Sequence, residues 1–299
     1  MSRLTLKWAN PPTGVLNAPV YLAHANRRLT VAEAAIVATD TAHGGQHTRA
    51  LLDGKYDMGH IGAASLLAAL SRNRDYVLVG TGLLRYPPHS LLLSAGIKQL
   101  AELRGQSIGI NRRGTCSHSI VRTLLARAGM NESQIHIVEL GGGLKNFDSI
   151  RRPELAAAVL WEPFTTTAIR ELGWKIFAAG SSVWSPSRYC TMIYARRSLL
   201  EQAPDLVVAV LRAYSDWVRA AQLDEKAAAE QVMRKMPMIP AQDIRSAVVR
   251  EAPDWCPDTS LDRSLLERAI GELEVQSVLA PGFRLDDVIA PVAHEVSSA

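Results

Sequence analysis

The sequence predicts an α/β protein of two lobes that are joined by two chain crossings, with a ligand cleft where the lobes meet. Its 299 residues exceed the usual size of one domain, and 47% of them are hydrophobic, so two lobes of ordinary size are expected. As far as about residue 195, short apolar runs bounded by turn residues alternate with amphipathic stretches, which indicates parallel sheets. Further on, apolar residues recur with a helical period, which predicts a long helix that starts near Pro204.

The alternation places the predicted strands in two groups. The first group comprises residues 4–8, 57–61 and 76–80, and the second comprises residues 107–111, 136–140, 155–161 and 175–179. Two more apolar runs, 91–94 and 191–195, are interpreted as the crossings because prolines precede both of them. The sequence therefore predicts one lobe from residues 1–90 and 191–299, and a second lobe from residues 91–190.

Charge and composition narrow the class of ligand. The net charge is +4, but the basic residues are scattered apart from short pairs, so a basic stripe for nucleic acid is not indicated. Scattered arginines suit a small anionic molecule better. The three cysteines, Cys116, Cys190 and Cys256, lack the spacing of a zinc site or a disulfide framework. We expect no metal, no cofactor and no nucleic-acid partner.

The sequence contains no apolar run of the roughly 18 residues that a membrane span requires, so no membrane insertion is expected. It also enters a strand pattern at once, with no secretory apolar region before it. As it stands, the sequence predicts a cytoplasmic protein, and a periplasmic one if a leader has been removed.

The loop after the predicted strand 107–111 is a candidate for the binding site. It carries Arg112, Thr115, Cys116 and Ser117 and leads into a helix, so free backbone N–H groups are expected to face the cleft. A carboxylate or sulfonate fits such a position, and Arg112 can add a two-pronged contact. Alternatively, Thr115 or Ser117 only caps the helix and Arg112 is a solvated surface residue.

Three loops of the first lobe are expected to face the same cleft. They cover residues 12–17, 43–46 and 60–65, and their glycines let the backbone approach a ligand or simply permit turns. The ligand-binding residues predicted there are Asn17, Gly44, Gln46 and His60. The lobe and its borders are rich in histidine, but no HxH or HExxH spacing occurs, so hydrogen bonding to a ligand is favoured over metal binding.

Trp161 and Glu162 end a predicted strand of the second lobe. Trp161 is predicted to stack on a flat ligand and Glu162 to accept a hydrogen bond, the alternative being that Trp161 packs under its loop. Trp184, Arg188 and Tyr189 precede the return crossing and are further candidates.

Three ordered segments resemble one known family. They are ALLDGKYDMGHIGAASLLAAL, IKQLAELRGQSIGINRRGTCSHSIVRTLLARAGM and RRPELAAAVLWEPF. They are similar to segments of the substrate-binding proteins of transporters for nitrate, taurine, alkanesulfonates and thiamine-pyrimidine precursors, and the resemblance covers roughly residues 4–290. One departure is Pro153-Glu154 in place of the usual Gly-Glu turn.

This resemblance implies a type II periplasmic-binding-protein fold. It also implies capture of a small anionic or aromatic molecule, of sulfonate, carboxylate or pyrimidine type, in the cleft between the lobes. An ABC permease would then be the partner.

The alternative is a cytoplasmic enzyme of the same fold that acts on an aromatic acid, since this fold also resembles desulfinases, decarboxylases and pyrimidine synthases. In that case Cys116 and His118 are the candidate catalytic residues, because a cysteine at a helix start is readily ionised. The single Cys190 in SRYCTMIY does not imply the cysteine-rich, iron-dependent chemistry of the pyrimidine synthases.

Overall fold

The computed structural model describes residues 4–32, 34–83, 86, 88–142, 148–183, 190–275 and 278–290. In these residues, two β-sheets form the centres of two lobes, which confirms the predicted fold class. In chain order the strands are β1 (Thr5–Pro12), β2 (Thr30–Val31), β3 (Ala34–Thr41), β4 (Met58–Gly62), β5 (Tyr76–Thr81), β6 (Ser90–Leu93), β7 (Ser107–Ile110), β8 (His136–Glu139), β9 (Leu155–Leu160), β10 (Lys175–Ala179) and β11 (Thr191–Arg196).

The two sheets have the same topology. The first has the order β2-β3-β1-β4-β11-β5 and the second the order β10-β6-β9-β7-β8. In the first sheet β1 is parallel to β3 and β4, and in the second β7 is parallel to β8 and β9. The strand that follows each crossing, β6 or β11, is antiparallel to both of its neighbours. Apart from the two-residue β2, each sheet therefore consists of three parallel strands, one post-crossing strand and one outer strand.

Helices pack on the sheets, and the long helix predicted near Pro204 is confirmed. In chain order the helices are α1 (Ala18–Ala25), α2 (Gly44–Leu52), α3 (Ala63–Leu70), α4 (Cys116–Arg127), α5 (Phe164–Leu172), α6 (Gly180–Val183), α7 (Arg197–Gln202), α8 (Pro204–Leu223), α9 (Glu225–Lys235), α10 (Ala241–Glu251) and α11 (Arg263–Val275). Within the described ranges, no helix is long and apolar enough to cross a membrane.

The central strands are apolar throughout. Every residue of β5 and of β9 is buried, which is typical of strands covered on both faces. The largest apolar core contains residues of both lobes, among them Leu160 and Phe164 from the second and Val210 and Ile244 from the first. The lobes therefore share a core in addition to having one each.

Seven strands predicted from the sequence are confirmed to within a few residues. The sequence did not predict β2 or β3. Three of the five residues in the apolar run AAIVA of β3 are alanines, which are depleted in strands, and several residues of β3 are partly exposed, so it carried a weak signal although it lies beside β1 in the sheet.

The interpretation of residues 91–94 and 191–195 as the crossings is wrong. These runs are apolar because they are strands inside the sheets, β6 and β11, and the crossings come before them in the chain. The division into lobes at residues 91 and 191 stays a prediction, which the membership of the strands in the two sheets supports.

Candidate ligand-binding cleft

A cavity of about 160 Å³ lies between the lobes, at the carboxyl ends of the parallel strands of both sheets. Ligands bind at this edge of α/β sheets because strand-to-helix loops with free backbone groups converge there. An apolar cavity of about 150 Å³ is large enough for benzene, so this cleft has room for one small ring or a short organic anion. The lining residues are Pro11, Pro12, Leu16, His43, Gly44, Gly45, Ile61, Gly62, Ser65, Pro88, His89, Asn111, Arg112, Thr115, Cys116, Gly141, Gly142, Trp161, Cys190 and Thr191.

In the first lobe, the start of α2 forms part of the wall. His43 is its N-cap, and the His43 Nδ1 atom accepts the N–H of Gln46 at 3.1 Å. The Oε1 atom of Gln46 accepts the N–H of Ala42 at 2.5 Å. The loop is therefore fixed by its own hydrogen bonds, with Gly44 at the cavity surface.

In the second lobe, the start of α4 forms the opposite wall. Thr115 is the N-cap, but its hydroxyl donates to the carbonyl of Arg112 at 2.7 Å and does not cap the helix. The Ser117 hydroxyl accepts the N–H of Asn111 at 2.9 Å, which ties the helix start to the end of β7. Cys116, the first residue of α4, lines the cavity between these two anchors.

Trp161, from the end of β9, is held by two rings. It lies 5.6 Å from the ring of His89 and 5.1 Å, edge-on, from the ring of Phe164, measured between ring centroids. Burial lowers the pKa of His89 to about 4, so this imidazole is neutral at pH 7. A neutral imidazole offers one donor and one acceptor nitrogen to a ligand.

Three polar atoms on lining residues are buried without a hydrogen-bond partner in the described part of the chain. They are Nδ1 of His89, Oδ1 of Asn111 and Oγ1 of Thr191. Buried polar atoms are nearly always hydrogen-bonded in proteins, and an unsatisfied one calls for a specific explanation. These three atoms are therefore available for hydrogen bonds to a polar molecule in the cavity.

The lobes touch each other on two sides of the cleft. A β-carbon added at Gly142 of the second lobe would lie 3.0 Å from the β-carbon of His43 in the first. On the other side, a β-carbon at Gly14 would lie 3.8 Å from Nε1 of Trp161. Each contact relies on a glycine, and together they give the cleft a closed arrangement.

Two ion pairs connect the second lobe to α10, one from α5 and one from the loop that precedes α5. Asp243 of α10 is buried and accepts from Nε and Nη2 of Arg170, at 2.5 and 2.9 Å, and from the Thr167 hydroxyl at 3.0 Å. In the second pair α10 supplies the arginine: Arg250 lies 3.2 Å from the buried carboxylate of Glu162. Because Glu162 follows Trp161 directly, these pairs anchor the loop that carries the cleft tryptophan.

Five of the ten predicted ligand-binding residues line the cavity, namely Gly44, Arg112, Thr115, Cys116 and Trp161. The other five are absent from its lining and have other contacts. Asn17 is fully buried and donates to the carbonyls of Pro11 and Pro12. Gln46 and Ser117 bond to the backbone of their own loops.

His60 and Glu162 are the remaining two predicted ligand-binding residues that do not line the cavity. His60 packs in the core with ring centroids 5.9 Å from Trp8 and 5.6 Å from Tyr214, because its side chain is on the face of β4 opposite to the cleft. The Glu162 carboxylate accepts the N–H of Thr166 at 3.1 Å and forms an ion pair with Arg250. Trp184, Arg188 and Tyr189 lie outside the described residues.

Of the two residues expected to be catalytic in an enzyme, His118 uses both of its ring nitrogens for other contacts. The Nε2 atom of His118 lies 2.9 Å from a Glu132 carboxylate oxygen, and its Nδ1 atom accepts the N–H of Gly114 at 3.0 Å. Cys116 lines the cavity, whereas His118 does not. No group of three or more His, Cys, Asp or Glu side chains suited to a metal ion occurs among the described residues.

Sequence reasoning missed several lining residues. Asn111 and Gly142 follow the carboxyl ends of β7 and β8, Thr191 is the first residue of β11, and Leu16 and Ile61 lie in the segments 12–17 and 60–65 that were expected to face the cleft but were not named as contacts. For Asn111 and Gly142 the sequence signal was their place after a strand, which applies equally to residues that face away from a cleft.

Two lobes of one topology, with a closed cleft at the carboxyl ends of their strands, define a protein of the type II periplasmic-binding fold. The chain belongs to the NMT1/THI5-like family, whose model matches residues 33–226.

Solved structures of the same fold agree with this assignment. The aliphatic sulphonate binding protein SsuA from Escherichia coli, which is periplasmic, matches with a TM-score of 0.79 at 19% identity, over 96% of this chain and 98% of that one. The alkanesulfonate-binding protein SsuA from Xanthomonas axonopodis pv. citri, bound to MOPS, matches with a TM-score of 0.77 at 16% identity, over 98% of both chains.

A third structure is the zinc-bound ligand binding component of an ABC-type import system from Staphylococcus aureus. It matches with a TM-score of 0.80 at 15% identity, over 99% of both chains. No curated protein matches the sequence significantly.

Proposed function

We propose that this chain is a solute-binding protein of an ABC-type import system and that it captures one small organic anion between its lobes. The observation that carries the proposal is the charge of the cleft wall. Among its described residues the wall has an arginine, Arg112, and no carboxylate, and two helices begin on it.

The two helix starts come from different lobes. α2 begins at Gly44 in the first lobe and α4 begins at Cys116 in the second, and both residues line the cavity. Each helix N-terminus acts as roughly half a positive charge with free N–H donors. An anion between them interacts with both lobes only when the cleft is closed, so its binding favours the closed state.

The rest of the wall suits a compact apolar or aromatic body. Pro11, Leu16, Ile61 and Trp161 supply an apolar surface, and Trp161 has a ring face or edge to offer. The unpartnered polar atoms of the wall add a few directional contacts to that surface. A sulfonate or carboxylate attached to a small ring or a short chain fits this combination.

The descriptions of the fold neighbours suggest a sulfonate as the first ligand to test. Two of them are described as sulfonate-binding proteins, one of them bound to MOPS, which is itself a sulfonate with a ring. At identities of 16% and 19% this likeness shows the fold alone, so the choice of ligand depends on the wall of this cleft.

Isothermal titration calorimetry and thermal denaturation with a panel of ligands test the proposal. The panel consists of MOPS, taurine, benzenesulfonate and benzoate, with benzyl alcohol as a neutral control of similar shape. We expect one-to-one binding of at least one anion, and a stabilisation of about 2.7 kcal/mol at a hundredfold excess over its Kd. Equal binding of benzyl alcohol, or no binding by any anion, would contradict the anion assignment.

An ABC permease is the proposed partner, and the periplasm or an equivalent external compartment is the proposed location. Reconstitution with the permease and its ATPase encoded by neighbouring genes tests the partner. Ligand-loaded protein should raise the ATPase rate, and the ligand-free protein should raise it less. Cell fractionation tests the location.

A further inference from the structure

Two of the three cysteines line the same cavity from different elements. Cys116 is the first residue of α4 in the second lobe, and Cys190 is the last residue before β11 in the first sheet. Cys256 is buried and is not among the lining residues. All three cysteines are described, and none of them is in a disulfide.

The two thiols differ in reactivity. Cys116 is partly exposed at the N-terminus of a twelve-residue helix, where the helix dipole favours a thiolate. Cys190 is buried, and burial raises its pKa well above the usual value, as does the charge of Cys116. Both residues line one cavity of about 160 Å³, which places the two thiols close to each other. Cys116 is therefore the thiol that an oxidant in the cavity reaches first, and Cys190 the thiol that is near enough to react with the oxidised Cys116.

We propose that Cys116 and Cys190 are a redox pair that forms a disulfide across the cleft when a peroxide enters it. The effect on ligand capture rests on the proposed function, but the bond itself does not. The wall also offers a polar oxidant places to bind, because Thr191, next to Cys190, is almost fully buried and its hydroxyl has no partner in the described structure.

The chemistry needs hydrogen peroxide and nothing else. The Cys116 thiolate attacks one peroxide oxygen, the O–O bond breaks, and hydroxide leaves with a sulfenic acid formed on Cys116. The hydroxide released in this step takes the proton of the Cys190 thiol and becomes water, and the Cys190 thiolate attacks the Cys116 sulfur and displaces a second hydroxide. That hydroxide combines with the proton that Cys116 lost when it became a thiolate. In total, two thiols and one hydrogen peroxide give one disulfide and two water molecules.

Such a bond would change the function of the cleft. It would join the start of α4 in one lobe to the start of β11 in the other, which would hold the lobes closed, and the sulfurs would occupy cavity volume. Ligand exchange would stop until a reductant restored the thiols. The cleft would thus bind its solute only under reducing conditions.

The test uses the reduced full-length protein and hydrogen peroxide, followed by intact-mass measurement, thiol counting after denaturation and peptide mapping without reductant. We expect the mass to fall by two hydrogen atoms and the thiol count to fall from three to one, with Cys116 and Cys190 in one cross-linked peptide. The matched control is Cys256→Ser, which should form the same bond and fall from two thiols to none.

Cys116→Ser and Cys190→Ser should not form the bond, and in Cys190→Ser a dimedone probe should trap the sulfenic acid on Cys116. If Cys190→Ser does not fold, Cys190→Ala replaces it. A disulfide that includes Cys256, or oxidation of wild-type Cys116 beyond the sulfenic acid with Cys190 still reduced, would overturn the proposal.

Titration with MOPS then measures the effect on binding. The oxidised protein should bind MOPS at least tenfold more weakly, and dithiothreitol should restore the affinity. Unchanged affinity in the disulfide form would overturn the gating role. If the reduced protein fails to bind any anion while the disulfide still forms, the proposed function fails and the redox pair stands.

Discussion

The two lobes have the same strand order but supply different chemistry to the cleft. The first lobe contributes a largely apolar wall that includes Pro11, Leu16 and Ile61, whereas the second contributes Asn111, Arg112, Thr115 and Cys116. Topology therefore decides where a wall forms, and the loop residues decide what it binds. The second lobe adds the charge of Arg112 to the wall, while each lobe places one helix start on it.

The lobes also differ in what lies around the sheets. Helices α8 to α10 follow the return of the chain to the first lobe, and α10 packs against α5 of the second lobe. The ion pairs Arg170–Asp243 and Arg250–Glu162 lie at this contact. The first lobe therefore contacts the second through helix α10. Among the described residues, the second lobe has no equivalent helix that packs against the first.

The largest expected effect tests this connection between the lobes. Asp243→Ala removes a buried carboxylate and three hydrogen bonds, and we expect a loss of about 3 kcal/mol in the free energy of unfolding. This loss is at the lower end of the range expected when one partner of a buried ion pair is removed, because Arg170 is partly exposed and keeps some hydration. Urea denaturation measures it.

The matched control is Asp216→Ala, which breaks an exposed pair with Arg219 on α8 and should change stability by less than about 0.5 kcal/mol. Equal losses in the two variants would mean that the contact between α5 and α10 does not hold the lobes together.

The second prediction concerns pH and the end of α10. Burial raises the pKa of Glu251 to about 8, with the charges of Glu162 and Asp254 adding to the effect and the hydrogen bond from Trp255 opposing it. The folded protein therefore keeps a proton that the unfolded chain releases near pH 4.5. Stability should fall as the pH rises towards 8, by at most about 1.4 kcal/mol per pH unit.

The window from about pH 7.5 to 8.5 separates this group from the buried histidines. Burial lowers the pKa of His47, His60 and His89, which titrate near pH 6.5 when unfolded, so about one pH unit above that value these side chains are almost entirely neutral in both states. Glu251→Gln should remove most of the fall in the free energy of unfolding across this window. A wild-type curve that rises across the same window would contradict the prediction.

The third prediction compares two neighbouring arginines. Arg112 lines the cleft, whereas the Arg113 guanidinium pairs with Glu132 and is absent from the lining. Arg112→Ala should weaken the binding of a sulfonate such as MOPS about tenfold, since a hydrogen bond to a charged group contributes about 1.5 kcal/mol or more. Arg113→Ala should leave the affinity within a factor of two. If calorimetry shows equal losses, Arg112 has no special place in the wall.

The smallest expected effect concerns the contact between the lobes at Gly142. Gly142→Ala puts a methyl group 3.0 Å from the β-carbon of His43, so the closed state must shift, and we expect a few-fold weaker affinity. Gly271→Ala is the control, because a β-carbon there meets no atom within 4 Å and Gly271 lies on α11, outside the lining of the cleft. Small-angle scattering should show a larger radius for Gly142→Ala alone.

The sequence predicted those parts of the fold and cleft whose signal is local. β5 and β9 are continuous apolar runs, and the start of α4 follows a strand directly, so both were predicted. β3 was missed because small and polar residues fill it. His60 was misplaced because it faces the core against Trp8 and Tyr214, and no local pattern shows which face of a strand meets the cleft.

The position of β11 between β4 and β5 has a consequence for how the protein is made. When the ribosome has produced the chain as far as residue 81, β4 and β5 have no strand to join them, because that strand lies more than a hundred residues later in the chain. The strands of the second sheet, in contrast, are contiguous in sequence between residues 90 and 179. During synthesis we therefore expect the middle of the chain to acquire its structure before the beginning, with the amino-terminal segment waiting for β11 to emerge.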